Sequence, residues 1–357
     1  MSVHRRIVAS AAAGAIALSV AVTGTASAAP AMPTAAAAAK APAVHTVGVG
    51  SNPYAVAVSQ SLGKAFVVND GSVSVVSLLT HRELTEFGTG NNQYQNDIAL
   101  MRSNTQGYIT DNAMKNLTVI DTETYKVAKQ IPVGYGAIGV VKANTSAGQR
   151  AYVITAAHAG PQGSGARNEL VAIQTSTGKV VARTKLPQSP GAVVVAPGAK
   201  SVWVGGDVDG KIFQVSTKTG KITKTWKPTK AGPITALAFA PGGKKVWITG
   251  LAGVSVISAK SGKSAKFITA PKIFPGFIVP NDVVLNASGK YAFVENSVQN
   301  AQGDVSAVAA INTKTYKVAW RVKTGSQPEG MALDKTRGVA YVPNYDDDTV
   351  SYFSVPK

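Results

Sequence analysis

Six side chains with oxygen donors fall at equivalent positions of a strand pattern that recurs along the chain: Tyr54, Asn96, Asp97, Asn281, Asp282 and Glu329. Carboxylate and amide oxygens are the ligands that Ca²⁺ and Mg²⁺ prefer in proteins. A carboxylate beside such a metal would also serve as the general base that opens a lactone. The spacing therefore predicts a ligand-binding site. In the competing interpretation, these groups line a watery channel or accept hydrogen bonds from neighbouring backbone.

Other kinds of active site find little support in the sequence. The chain has no Cys, which excludes disulfides, thiolate metal sites and cysteine nucleophiles. After residue 28 it has three histidines, His45, His81 and His158, and these fall in different repeats. Neither a serine triad nor a three-histidine zinc site is therefore expected. We expect no organic cofactor, and Ca²⁺ or Mg²⁺ is the metal that the oxygen donors would hold.

A short β-like run with an aromatic residue at its second position recurs seven times. In six of the seven copies an apolar residue lies eight positions before the aromatic one, and a turn rich in Gly, Pro, Asn and Lys separates the two. The aromatic residues are Phe66, Tyr108, Tyr152, Trp203, Trp247, Phe293 and Tyr341. They lie 42 to 51 residues apart, a period that is typical of one structural unit repeated along the chain.

Each repeat continues with a run in which apolar and polar residues alternate, as in Leu117 to Asp121. A turn rich in Thr, Gly and Lys and then a fourth run complete the unit. Alternation with a period of two is typical of half-buried strands. Four short strands per repeat predict the blade of a β-propeller, so seven copies predict an all-β, seven-bladed ring over residues 44–357.

The two ends of the repeat region complement each other. The seventh copy supplies three strands and lacks the outer one, whereas the strand from Val44 to Val49 belongs to no copy of its own. Pairing of the two would close the ring and remove two exposed strand edges. We therefore expect four-stranded blades in a ring that the N-terminal strand closes by pairing in the last blade.

Three segments match the parts of a known repeat: Gly50-Ser51-Asn52-Pro53, Ala340-Tyr341-Val342-Pro343-Asn344 and Leu117-Thr118-Val119-Ile120-Asp121-Thr122. They resemble the repeat of the bacterial secreted seven-bladed propellers of the YVTN-repeat family. The resemblance covers essentially residues 44–357 and is specific for the fold. For function it implies a binding protein, although related propellers act as lactonases or lyases.

The first residues predict export. A basic stretch from His4 to Arg6 precedes an apolar run, and Ala26-Ser27-Ala28 fits a signal-peptidase site, so residues 1–28 are interpreted as a signal peptide. The apolar run is shorter than the roughly 20 residues that a spanning helix needs, and no membrane insertion is expected. Residues 29–43, rich in Ala and Pro, are predicted to be a flexible tether. The product is expected to be a secreted, extracellular monomer.

Positive charge is concentrated in one part of the chain. The formal net charge is +18, and residues 170–281 contain sixteen Lys and Arg but two acids. The candidate surface for an anionic polymer comprises Lys218, Lys221, Lys224, Lys227, Lys244, Lys245 and Lys263. Such a field attracts phosphate-rich polymers or nucleic acid. The competing interpretation is a solubilising surface, because Lys is common in turns of the Thr-x-Thr-Gly-Lys kind.

The function expected from the sequence is that of a binding or scaffold module. A protein or small-molecule partner would bind at the mouth of the central channel, and an anionic polymer of the cell envelope would bind the basic surface. A metal-assisted lactonase or lyase at the channel mouth is one alternative, and a nucleic-acid-binding propeller is the other.

Overall fold

The computed structural model describes residues 40–356 except 91–94, 228, 276–278, 297–298, 301–302 and 305, and for residues 299, 300, 303 and 304 it describes the backbone. The predicted signal peptide and residues 29–39 of the predicted tether lie outside the described residues. Within the described residues, seven four-stranded antiparallel sheets follow one another as the blades of a ring. The all-β, seven-bladed propeller that the repeat predicts is therefore confirmed.

Each of the first six blades is built from strands in chain order, with the innermost strand first. After β1 (Val44–Gly48), the strands are β2 (Ala55–Ser59), β3 (Lys64–Val68), β4 (Ser72–Ser77) and β5 (Glu83–Gly88) in blade one; β6 (Gln95–Met101), β7 (Gln106–Asp111), β8 (Asn116–Asp121) and β9 (Lys126–Pro132) in blade two; and β10 (Ala137–Thr145), β11 (Gly148–Thr155), β12 (Glu169–Gln174) and β13 (Lys179–Lys185) in blade three. Blades four to six contain β14 (Pro190–Val195), β15 (Ser201–Gly206), β16 (Ile212–Ser216) and β17 (Ile222–Trp226); β18 (Ile234–Phe239), β19 (Lys245–Gly250), β20 (Gly253–Ser258) and β21 (Ser264–Thr269); and β22 (Pro280–Leu285), β23 (Tyr291–Asn296), the small ribbon β24 (Gln299–Asn300) and β25 (Gly303–Asp304), β26 (Ala307–Asn312) and β27 (Val318–Lys323).

The seventh blade joins the two ends of the chain. Its inner strands are β28 (Ala332–Asp334), β29 (Val339–Asn344) and β30 (Thr349–Ser354), and its outermost strand is β1. β1 runs antiparallel to β30, with Val44 opposite Phe353 and Gly48 opposite Thr349. The predicted closure of the ring by the N-terminal strand therefore holds in the structure.

Few elements depart from the blade pattern. The helix α1 (Ala270–Ile273) has four residues, and single turns occur at Arg102–Asn104 and Tyr345–Asp347. In blade three the first hairpin is longer than elsewhere, which explains why an eleven-residue spacing replaces the usual eight: Val141 still pairs with Tyr152. Among the described residues, no helix has the length and apolarity needed to cross a membrane.

The seven recurring aromatic residues anchor the core, since each has 3% or less of its surface exposed. Trp247 of blade five, for example, belongs to one cluster with Val283, Leu285 and Val294 of blade six. The core therefore consists of layers between facing sheets. Burial of one aromatic ring, roughly 150–250 Å² at about 25 cal/mol per Å², stabilises the fold by about 4–6 kcal/mol before entropy is subtracted.

The alternation of strand direction gives the ring two distinct faces. First-to-second and third-to-fourth strand turns share one face, which we call the turn face. Second-to-third strand loops and the connections between blades share the other, which we call the mouth face. Because the innermost strands begin at the mouth face, their first residues from all seven blades converge around the central channel.

Removal of β1 tests the closure of the ring. A variant that starts at residue 50 should melt more than about 10 °C below a control that starts at residue 43, because it loses a whole strand ladder and exposes β30 as an edge. Thermal unfolding followed by circular dichroism measures the difference. Equal melting temperatures for the two proteins would show that β1 contributes nothing to closure.

Candidate functional site

A cavity of about 250 Å³ lies where the innermost strands begin, at the mouth face. The structure brings five of the six sequence-predicted residues into its wall, and these are Tyr54, Asn96, Asp97, Asn281 and Asp282. The sixth, Glu329, is not among the described residues that line the cavity. It is buried behind Asn281, whose Nδ2 lies 3.5 Å from Glu329 Oε2.

Two aspartates of the wall connect neighbouring blades. Asp97 accepts hydrogen bonds from the backbone N–H of Ile98 at 2.8 Å and, across the blade boundary, from Val140 at 2.8 Å. Asp282 repeats the arrangement, with the N–H of Val283 at 2.7 Å and of Met331 in the next blade at 2.9 Å. Each carboxylate thus uses both oxygens on backbone donors. These contacts agree with the competing interpretation from the sequence, in which the carboxylates accept hydrogen bonds from neighbouring backbone.

Two further side chains form hydrogen bonds across blade boundaries. Thr235 at the start of blade five donates from Oγ1 to the carbonyl of Pro280 in blade six at 2.9 Å. Between blades six and seven, Glu295 accepts from the N–H of Gly330 at 2.8 Å. Polar side chains near the channel therefore connect neighbouring blades at the cavity wall.

Tyr54 closes the wall at blade one. Its ring packs against Tyr345 with centroids 4.8 Å apart. Burial is the main cause of a strong rise in the Tyr54 pKa, and the hydrogen bond to Tyr345 adds to it. Tyr54 therefore stays a neutral phenol, and it contributes shape and a hydroxyl group to the cavity.

A second polar cluster lines the cavity on the side of blades three and four, and sequence reasoning did not identify it. Ser189 Oγ lies 2.7 Å from His158 Nδ1 and 3.1 Å from Asp207 Oδ2. His158 Nε2 lies 3.5 Å from the same Oδ2. His158 and Asp207 both line the cavity. A signal was present, because Asp207 follows a second strand and His158 lies in a long second-to-third loop, and both positions belong to the mouth face.

The contacts of this cluster differ from those of a serine protease triad. In a triad the acid binds the imidazole, and the imidazole alone takes the serine proton. Here Ser189 lies within hydrogen-bond distance of the carboxylate itself. With the Ser189 hydroxyl donating to Asp207, His158 Nδ1 is the donor toward Ser189 and does not take the serine proton. The cluster is a hydrogen-bonded latch between the long loop of blade three and blade four.

The arrangement does not assemble the donors that the Ca²⁺ or Mg²⁺ hypothesis requires. Asp97 and Asp282 direct both oxygens at backbone N–H groups. Within the described part of the chain, no three His, Asp or Glu side chains come together as a metal-binding group. The residues predicted as ligands therefore do not fit a dedicated divalent-cation site, and we derive no chemistry through one.

Asp111 is a fully buried carboxyl at the end of β7, next to the cavity-lining Asn112. Its Oδ1 accepts from the N–H groups of Ala113 and Met114, at 2.9 and 3.0 Å, whereas Oδ2 meets no described hydrogen-bond donor. Burial raises the pKa of Asp111 to about 6, although the two backbone hydrogen bonds oppose the rise. Blade two therefore contains, next to the cavity wall, a buried acid with a raised pKa.

The structure divides the predicted basic surface into parts. Lys218, Lys221, Lys244, Lys245 and Lys263 lie in or beside turns of the turn face. Lys224 lies on the outer strand β17, with Nζ 3.6 Å from the centre of the Trp226 ring. Lys227 follows the end of that strand, which puts it on the side of the mouth face. Lys227 therefore lies apart from the turn lysines, because β17 runs from one face to the other.

Lys245 also differs from the other turn lysines. It is half-buried, and its Nζ donates to Tyr316 Oη in the next blade at 2.7 Å. Lys218, Lys221, Lys244 and Lys263 are exposed. These four residues remain as the accessible part of the predicted basic surface.

Solved structures share the fold at low sequence identity. Kuenenia stuttgartiensis hydrazine synthase matches with a TM-score of 0.72 and 16% identity, covering 85% of this chain and 96% of that one. The Cps50 (Swd1) β-propeller domain of Myceliophteria thermophila matches with a TM-score of 0.72 and 11% identity, covering 88% and 100%. No family model matches the chain, and no curated protein does. The propeller fold is thus supported, whereas membership of the YVTN-repeat family is not.

Replacement of Asp97 or Asp282 by Ala tests the connecting role of these carboxylates. Each variant loses two charge-assisted hydrogen bonds, and the free energy of unfolding should fall by about 2–4 kcal/mol. Asn281→Ala, in the same wall, should cost less than about 1 kcal/mol. Urea denaturation measures all three. Wild-type stability in both Asp variants would contradict the connecting role.

Replacement of Asp111 by Asn tests its raised pKa. The folded state binds the proton more tightly than the unfolded state, so wild-type stability falls as pH rises from about 4 to about 7. The variant lacks this titration. Its free energy of unfolding should therefore rise relative to that of the wild type by up to about 3 kcal/mol over that interval. Urea denaturation at each pH gives the two curves.

Asp121→Asn is the matched control for this titration. The backbone hydrogen bond from Thr124 lowers the pKa of Asp121. The free energy of unfolding of this variant should therefore fall relative to that of the wild type as pH rises. Parallel stability curves for Asp111→Asn and the wild type would contradict the assignment.

Proposed function

We propose that this chain is a binding module whose ligand occupies the cavity at the mouth face. The observation that carries the proposal is the convergence of polar side chains from several blades on one cavity of about 250 Å³. Ligand sites in proteins are concave and combine an apolar lining with a few fixed polar groups. The volume lies just below the usual range for drug-sized ligands, which favours a compact molecule.

The fixed wall supports binding by a rigid site. Asp97, Thr235 and Asp282 tie the innermost strands of neighbouring blades to one another through backbone hydrogen bonds. A ligand that enters such a cavity does not have to order its walls, so less of the interaction free energy is lost on binding. The same bonds engage the carboxylates that a metal-assisted lactonase or lyase would need, and we assign no catalysis.

The proposal includes delivery of this module to the cell exterior. The basic start, the apolar run and Ala26-Ser27-Ala28 of residues 1–28 support a cleaved signal peptide. Residues 29–43 would then be a flexible segment at the N-terminus of a released, monomeric propeller. A chain without Cys is compatible with this environment because its stability depends on packing between blades.

A cavity-filling substitution tests the proposed binding. A ligand at about 100 times its Kd stabilises the folded state by about 2.7 kcal/mol, so thermal shift detects it. The probes are putrescine, butane-1,4-diol, succinate, glucose and adenosine, each at millimolar concentration. At least one should raise the melting temperature of the wild type and not that of Asn281→Trp, whose indole fills the cavity.

The control for this experiment is Asn144→Trp, which places the same side chain at an exposed position on the turn face. It should respond to the active probe as the wild type does. A probe that stabilises Asn281→Trp and the wild type equally would place binding elsewhere. Absence of any response from the whole set would count against a compact-ligand module.

A second candidate function concerns the turn face. Lys218, Lys221, Lys244 and Lys263 are exposed there, and the two acids among residues 170–281, Asp207 and Asp209, lie on the mouth face. No opposite charge within that stretch therefore offsets the four lysines on their own face. An anionic polymer of the cell envelope would be held by this field in a salt-dependent manner.

Charge neutralisation tests the second candidate. The variant Lys218→Gln/Lys221→Gln/Lys244→Gln/Lys263→Gln should bind purified wall teichoic acid at least about tenfold more weakly at low salt, with a shallower salt dependence. The control neutralises four exposed turn lysines of other blades, Lys126, Lys290, Lys314 and Lys317, and changes the net charge equally. Equal losses of affinity in both variants would show that binding depends on the net charge and not on these four lysines. Stronger binding of duplex DNA than of teichoic acid would favour the nucleic-acid alternative.

A further inference from the structure

We infer that the ligand of the mouth-face cavity is a compact organic cation whose ammonium group pairs with Asp207. This inference rests on the proposed function, because it names the chemical class of the ligand for the same cavity. It is carried by three features of the cavity: the sign of the charge in its wall, the buried carboxylate of Asp207, and the hydrogen-bond acceptors around it.

The charge of the cavity is opposite to that of the protein. The chain has a formal net charge of +18, yet the wall contains Asp97, Asp207 and Asp282. No Lys or Arg is present among the described residues that line it. Backbone N–H donors favour the charged form of a carboxylate, so Asp97 and Asp282 keep the interior negative while they hold the blades together. A negative cavity in a positive protein selects against anionic ligands.

Asp207 is the carboxylate in this wall whose described partners are side chains rather than backbone N–H groups of a neighbouring blade. Its side chain is 9% exposed, and its Oδ2 lies near Ser189 Oγ and His158 Nε2. Its Oδ1 makes no hydrogen bond to another residue in the part of the chain that the structure describes. A buried carboxylate oxygen without a donor is costly, and burial accordingly raises the pKa of Asp207. An ammonium group beside the part of Asp207 that lines the cavity would supply the opposite charge.

The remaining polar groups of the wall suit the other N–H bonds of an ammonium ion. Asn96, Asn112 and Asn281 each carry an amide oxygen, and Tyr54 and Thr235 carry hydroxyl oxygens. An ammonium has three N–H donors and no acceptor, so a wall rich in acceptors, with no Lys or Arg among its described residues, is complementary to it. The cavity volume of about 250 Å³ limits the ligand to a short chain.

Three probes of equal length and different charge test this inference on the full mature chain. They are putrescine, butane-1,4-diol and succinate, each a four-carbon chain with a polar group at both ends. Isothermal titration calorimetry at neutral pH should show that putrescine binds at least about tenfold more tightly than the diol, and that succinate does not bind. Binding of putrescine in slightly acid buffer should also release protons, because the bound cation favours ionised Asp207.

Two matched variants assign the effect to one carboxylate. Asp207→Asn should weaken putrescine binding at least about tenfold and abolish the proton release. Asp209→Asn should leave both unchanged, because Asp209 is outside the cavity wall and is held by Lys211 and Gln188. His158→Asn removes the latch and keeps Asp207; retained putrescine binding in this variant supports direct pairing with the carboxylate.

The outcomes separate this inference from the proposed function. If the diol or succinate binds as tightly as putrescine, and Asn281→Trp abolishes that binding, the cavity is a ligand site and the cationic class is wrong. If putrescine binds equally to the wild type, Asp207→Asn and Asn281→Trp, pairing with Asp207 and use of the cavity both fail. If no probe binds at all, the inference is overturned together with a compact-ligand function.

Discussion

The pairing of β1 with β30 is the contact on which the rest of the structure depends. Each blade buries its aromatic residue against the next blade, so the core is complete only when the last blade meets the first. The cluster between blades seven and one joins Tyr341 and Val350 to Ala65 and Val67, and Val47 of β1 packs against it. Without that strand, blade seven would expose a ladder edge and the ring could separate at this boundary.

Closure of the ring also creates the cavity, because it fixes the distances between the innermost strands. The side chains at the channel then have two duties. Asp97, Thr235 and Asp282 satisfy or donate to backbone groups across blade boundaries. Asp207 belongs to the other side of the wall, where a side-chain latch replaces the backbone contacts. This difference is why we propose Asp207, rather than Asp97 or Asp282, as the partner of a ligand.

Separation of charge between the two faces follows from the same topology. The third-to-fourth strand turns use Thr, Gly and Lys because these residues suit tight turns, and the lysines therefore collect at the turn face. The acids that follow the second strands collect at the mouth face. One side of the ring consequently repels what the other side attracts. This separation places the mouth-face cavity and the exposed lysines of the turn face on opposite faces of the ring.

The sequence by itself determined the fold, since strand periodicity and a 42–51-residue repeat are local properties that survive without knowledge of packing. It also placed Tyr54, Asn96, Asp97, Asn281 and Asp282 at the channel, because register along each inner strand fixes which residue comes first. Only the tertiary structure decided which carboxylates the backbone engages, that Lys227 leaves the turn face, and that His158, Ser189 and Asp207 meet. Those outcomes depend on distances between blades, which no spacing within one repeat encodes.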